Sequence, residues 1–170
     1  MPFPLRHRLI ALAVLVIFLP LWLFFVRWTP SAEVKRHQKA FFRAIESADW
    51  DDLNALLDPS YRDDWDLNGD QFVRLVEEGR AQFLYLDIEA QNPAIDAKSA
   101  PAEYRAVLRI TGSGHALTQQ AQKRFNRLQS PFVFSWRKSG PKPWDWQLVS
   151  ISNPGVNLSD FSAGADLLDF

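Results

Sequence analysis

Apolar side chains recur along this chain with two different periods, and one unbroken apolar block precedes both. The block is LIALAVLVIFLPLWLFFV, Leu9 to Val26, eighteen residues without a charge. As a helix rising ~1.5 Å per residue it is about 27 Å long, enough to cross the hydrocarbon of a bilayer. Pro20 is tolerated in such helices, and Trp22 and Trp28 stand where interfacial aromatics anchor the far end. A cleavable signal peptide is the competing reading. The run is longer than the ~7–15 residues of such a core, and no small-x-small site follows FFVRWTP. An uncleaved single-pass signal anchor over residues 9–28, behind a basic tail of residues 1–8, is therefore expected.

After Thr29-Pro30, a cap followed by a helix-starting proline, Val34, Phe41, Ile45 and Ala48 recur at helical spacing. They predict a first helix. DWDDLNALLDP predicts a second, with Asp49 as N-cap, Asp51 and Asp52 in the first turn and Pro59 past the end. A third is capped by Asn68 or Asp70, with Phe72, Leu75, Val76, Gly79 and Phe83 expected on its inner face. The period then falls to two. Tyr104, Ala106, Leu108 and Ile110 alternate with Arg105, Val107, Arg109 and Thr111, and Phe132, Phe134 and Trp136 with Val133, Ser135 and Arg137, predicting half-buried antiparallel strands. LYLDIEAQ from Leu84 and WDWQLVSIS after the turn KSGPKP add two more, and Leu117, Ala121, Phe125 and Leu128 suggest a short helix between the middle strands. Helices followed by a curved antiparallel sheet of four or more strands make an α+β domain over residues 30–154, followed by an acidic-apolar tail, residues 155–170.

Composition removes several kinds of chemistry. With 19 Lys+Arg against 20 Asp+Glu there is no basic excess of the kind that nucleic acid requires. The absence of cysteine excludes disulfides, thiolate metal sites and cysteine nucleophiles. No phosphate-binding loop or paired-histidine motif occurs, so no cofactor or metal is implied. Charge also bears on topology. Arg6 and Arg8 precede the block, whereas Arg27, Lys35, Arg36, Lys39 and Arg43 follow it. A plain count places the domain in the cytoplasm, but a long domain translocates largely regardless of charge. The expectation is N-terminus inside and domain on the extracytoplasmic, periplasmic side.

The order helix, DWDDLNALLDPSYRDDW, helix, then strands ending FVFSWRKSGPKPWDWQLVSISNP resembles the nuclear transport factor 2-like superfamily, over about Ala32 to Pro154. The resemblance implies a cystatin-like cone, a bent sheet wrapped around a long helix. It also implies a pocket, because such proteins include ketosteroid isomerases, dehydratases and polyketide cyclases as well as ligand binders and assembly domains. The WRK…PWDW ending is most similar to bacterial members without an assigned function.

YRDDWDLNGD holds the most suggestive polar residues. Asp64, Asp66, Asn68, Gly69 and Asp70 follow the first half of a calcium-loop pattern, but Leu75 stands where a bidentate glutamate is needed, and a turn leading into a capped helix accounts for the same residues. Tyr61 and Asp64 would share a face if the segment were helical, giving an acid–base pair at a cone mouth; otherwise Tyr61 packs its ring and the aspartates sit in water. His115, in TGSGHAL, is a further acid–base candidate or a plain loop histidine. Trp50, Trp65, Trp136 and Trp146 are candidates to line a cavity for an apolar ligand, with core filling as the alternative. The function expected is a membrane-anchored, non-catalytic binding or assembly domain. It would hold an apolar small molecule or a protein partner, including a second copy, through the sheet face or the tail. The alternative is a small pocket enzyme of isomerase, dehydratase or cyclase type.

Overall fold

The computed structural model describes residues 29–114 and 116–156. Residues 1–28, the tail beyond 156 and His115 lie outside the described residues, and so do the anchor, tail and histidine expectations. Among the described residues no helix is long and apolar enough to cross a membrane.

Helix α1, Pro30–Ser47, starts as expected, with the Thr29 hydroxyl accepting the Ala32 N–H and proline in the first turn. It stops at Ala48, which takes a left-handed φ of 56° as the C-cap and is not part of the helix. Helix α2, Trp50–Leu56, is capped by Asp49. Helix α3, Gly69–Ala81, has a reciprocal capping box between Asn68 and Gln71. Its inner face differs from the expected one. Phe72 is buried, Leu75 is 44% exposed, Gly79 is exposed, and Phe83 already belongs to a strand. The face turned inward, where α3 packs on α1 and α2, is that of Phe72, Val73 and Val76.

Strands β1, Phe83–Asp96, and β2, Ala102–Gly114, form a long antiparallel hairpin, and β3, Phe132–Lys138, and β4, Trp146–Ser152, complete a four-stranded antiparallel sheet in the order β1-β2-β3-β4. β1 extends past Pro93, further than its alternation suggests, because the register shifts between Gln91 and Ala94, with Asn92 at φ 50°. Helix α4, Ala116–Phe125, lies between β2 and β3. β3 pairs with β2 only from Ala102 to Ala106, and beyond that Asn126 takes the place of a strand: its side chain accepts from the Ile110 N–H at 2.8 Å and donates to the Ile110 carbonyl at 2.8 Å.

Neither sheet edge is left bare along its whole length. The segment after α2 runs beside β4, with Asp58 and Arg62 donating their N–H groups to Leu148 and Val149 at 2.9 and 3.0 Å. On the opposite edge the Glu46 carboxylate accepts the Ile88 N–H at 2.8 Å. Both devices occupy groups that would otherwise pair with another chain.

Candidate functional site

A pocket on this architecture would lie between α1 and the sheet. α1 presents Val34, Gln38, Phe41, Phe42 and Ile45, all buried, and the strands present Tyr104, Phe132, Phe134 and Trp136. The rings meet one another. The Phe41 centroid lies 5.8 Å from Phe134, 6.1 Å from Phe72 and 6.5 Å from Trp136. Phe42 is 5.7 Å from Phe134, and Phe125 of α4 stacks on Phe132 at 5.6 Å. Edge-on and offset contacts at these distances are the favourable arrangements for aromatic pairs, and they leave the space between helix and sheet filled. Open hollows of about 340 and 430 Å³ lie elsewhere, the first along Ser47–Asp51, the second between Pro30, Ser31 and Ile95–Lys98.

The four tryptophans do not converge. Trp136 is fully buried in the ring cluster, and Trp50 is half-buried at the start of α2 beside the first hollow. Trp65 donates its indole N–H to the Val156 carbonyl at 3.0 Å, and Trp146 donates to the Pro143 carbonyl at 2.8 Å. Each of these last two indoles closes a loop of its own. Trp144 precedes β4 and is 46% exposed.

Residues 57–68 are not helical, so Tyr61 and Asp64 do not share a face. Asp64 is exposed, and its N–H is used on the Ile151 carbonyl at 3.2 Å. Asp63 is the buried carboxylate instead. One oxygen accepts the backbone N–H groups of Trp65 and Leu67 at 3.0 and 2.9 Å, and the other lies 3.5 Å from the Tyr61 hydroxyl. Burial raises the Asp63 carboxyl above the ordinary carboxylate range, although the Leu67 and Trp65 N–H groups and the Tyr61 hydroxyl pull it down. Burial, with the neighbouring Asp63 charge, also pushes the Tyr61 hydroxyl up. The calcium pattern is drawn on for other purposes: Asn68 caps α3, and Asp66, at φ 65°, pairs with Arg62 at 2.5 Å.

Two polar sites were not singled out by sequence. The Gln38 side-chain oxygen accepts the Trp136 indole N–H at 2.9 Å, while its amide nitrogen, buried, has no partner among the described residues. Its signal was present in the sequence, since a polar residue occupies the buried spacing of Val34, Phe41 and Ile45. Asp58 accepts from the Ser60 N–H and hydroxyl at 2.8 and 2.7 Å and pairs with Arg137 at 2.6 Å. Burial works against its charge, but these hydrogen bonds and the Arg137 charge outweigh it and hold the carboxyl below its usual value.

With this geometry in hand, similarity to known proteins is informative at the level of the fold. No protein-family model matches the chain, and no curated protein matches it. Solved structures do. A proposed aromatic ring hydroxylase of Novosphingobium aromaticivorans superposes with a TM-score of 0.55 at 12% identity, covering 72% of this chain and 86% of that one. A nuclear transport factor 2-like protein of unknown function from Pseudomonas putida gives 0.52 at 10% identity, covering 71% and 82%. The fold is nuclear transport factor 2-like. The Bdellovibrio bacteriovorus protein Bd1075 gives 0.54 at 10% identity over 73% of this chain, which spans only 40% of that longer protein. Identities this low establish the architecture, and activity does not follow from architecture.

Proposed function

We propose that this chain is a membrane-tethered, non-catalytic nuclear transport factor 2-like domain that binds a protein partner, a second copy included, with residues 9–28 as the tether and the domain on the extracytoplasmic side. One observation carries the reading: the rings of Phe41, Phe72, Phe134 and Trp136 occupy the space where a fold of this kind would hold a small molecule. The apolar surface that remains accessible is on the outside. Leu84 is 81% and Tyr85 58% exposed at the start of β1. Apolar groups kept in water at an element boundary are suited to a partner's surface.

A second reading, a pocket enzyme of isomerase, dehydratase or cyclase type, draws on Tyr61 and Asp63, a buried hydroxyl–carboxyl pair with both groups shifted upward. The two readings separate by cross-linking the full chain in its native membrane. Under the binding reading, Leu84→Asp with Tyr85→Asp abolishes a defined adduct, while Tyr61→Phe and Asp63→Asn leave it intact. Saturable uptake of an apolar fluorescent dye by the folded, unmodified chain would instead restore the pocket.

A further inference from the structure

The exposed face of α1 has a charge pattern that the fold does not use. Lys35, Lys39 and Arg43, spaced i, i+4, i+8, are all exposed and form a stripe on the side of α1 away from the sheet. Arg36 is beside them, paired with the buried Glu33. From Val34 to Arg43 there is no acidic residue, and from Ala44 to Asp58 there is no basic one, although the whole chain carries a net charge of only −1. Among the described residues no carboxylate pairs with Lys35, Lys39 or Arg43. α1 is therefore cationic from Val34 to Arg43 and is followed by an acidic segment.

The stripe is also close to the apolar block. Lys35 is nine residue steps past Val26, roughly 14 Å if helical and at most about 32 Å if extended, so the stripe is within reach of headgroups bordering a span that ends at Val26. We propose that the α1 stripe docks the domain onto an anionic lipid surface, laying α1 along the headgroups from Lys35 to Arg43 and turning the Asp49–Asp52 end away. This rests on the tether of the preceding section and adds an orientation to it. Each basic side chain near an anionic surface contributes roughly fivefold, so the three together shift the docked-to-undocked ratio on the order of a hundredfold at low salt.

The chain has no cysteine, so Ala40→Cys, exposed between Lys39 and Arg43, provides a single labelling site. The labelled full chain is reconstituted into vesicles of phosphatidylcholine, or of phosphatidylcholine with phosphatidylglycerol, each containing a headgroup-borne quencher. Quenching is expected to be several-fold stronger with phosphatidylglycerol. It should fall to the phosphatidylcholine level in high salt, and also in Lys35→Gln/Lys39→Gln/Arg43→Gln. Equal quenching in both lipids, or an anionic preference that survives salt, overturns the proposal. So does a preference retained by the triple variant with unchanged circular dichroism. If the triple variant misfolds, the salt titration of the otherwise unmodified labelled chain decides. Release by an alkaline carbonate wash reports on the span separately: a chain that washes off but still prefers phosphatidylglycerol loses the tether and keeps the stripe.

Discussion

Asp58 and Asp63, both buried and five residues apart, are shifted in opposite directions. Asp58 titrates below its unfolded value of 3.8 because Ser60 and Arg137 stabilise the anion more than burial disfavours it. The unfolded chain thus binds that proton more readily. Its contribution is present above the unfolded value and is lost as pH falls through the folded one. Asp63, raised by burial, contributes in the opposite sense, fully below its unfolded value and less as pH rises through the folded one. Arg137→Gln should therefore cost about 1 kcal/mol at neutral pH, discounted because the arginine is half-exposed. The cost should shrink in acid as Asp58 protonates. Urea unfolding at the two pH values measures the difference, and a cost independent of pH would count against the ion pair. Sequence reasoning chose Asp64 as the partner of Tyr61 because a spacing of three brings side chains together on a helix. Here the turn at Asp63 to Leu67, with Asp66 in the left-handed region, brings residues two apart together instead.

The elements themselves were largely legible in the sequence. α1, α2 and α3 start at Thr29, Asp49 and Asn68 caps that the sequence displays, and β2 and β3 bury the alternating residues that it offers. Such signals are local: a cap acts on N–H groups within three residues, and alternation needs only one neighbouring layer. Asn68→Ala removes the side-chain half of the capping box and leaves the Gln71 oxygen on the residue-68 N–H, and it should lower stability by about 1 kcal/mol in thermal unfolding without changing the strand signal. The extent of β1 was less legible. Asn92-Pro93 resembles the end of a strand, yet pairing with β2 resumes from Ala94 to Asp96 after the register shift, because the long partner strand is still there to receive it.

At the scale of the whole molecule, the question is what occupies the space between α1 and the sheet. Phe134 touches Phe41, Phe42, Tyr104 and Phe132. Phe134→Ala should cost about 3–5 kcal/mol and leave a cavity. If the interior is as full as its rings indicate, the variant should acquire a binding site for a small apolar molecule that the unmodified protein lacks, measurable as a ligand-dependent rise in its unfolding midpoint. The sequence by itself determined that a charge-free block precedes an α+β domain, where the helices and strands begin, and which side chains they offer to a core. Only the tertiary structure decided that Asp63 rather than Asp64 lies beside Tyr61, that the four tryptophans are dispersed, and that aromatic rings fill the interior. The reason is one of range. Period and capping act over a few residues along the chain, whereas the filling of a space depends on side chains about a hundred residues apart, such as Gln38 and Trp136, meeting in three dimensions.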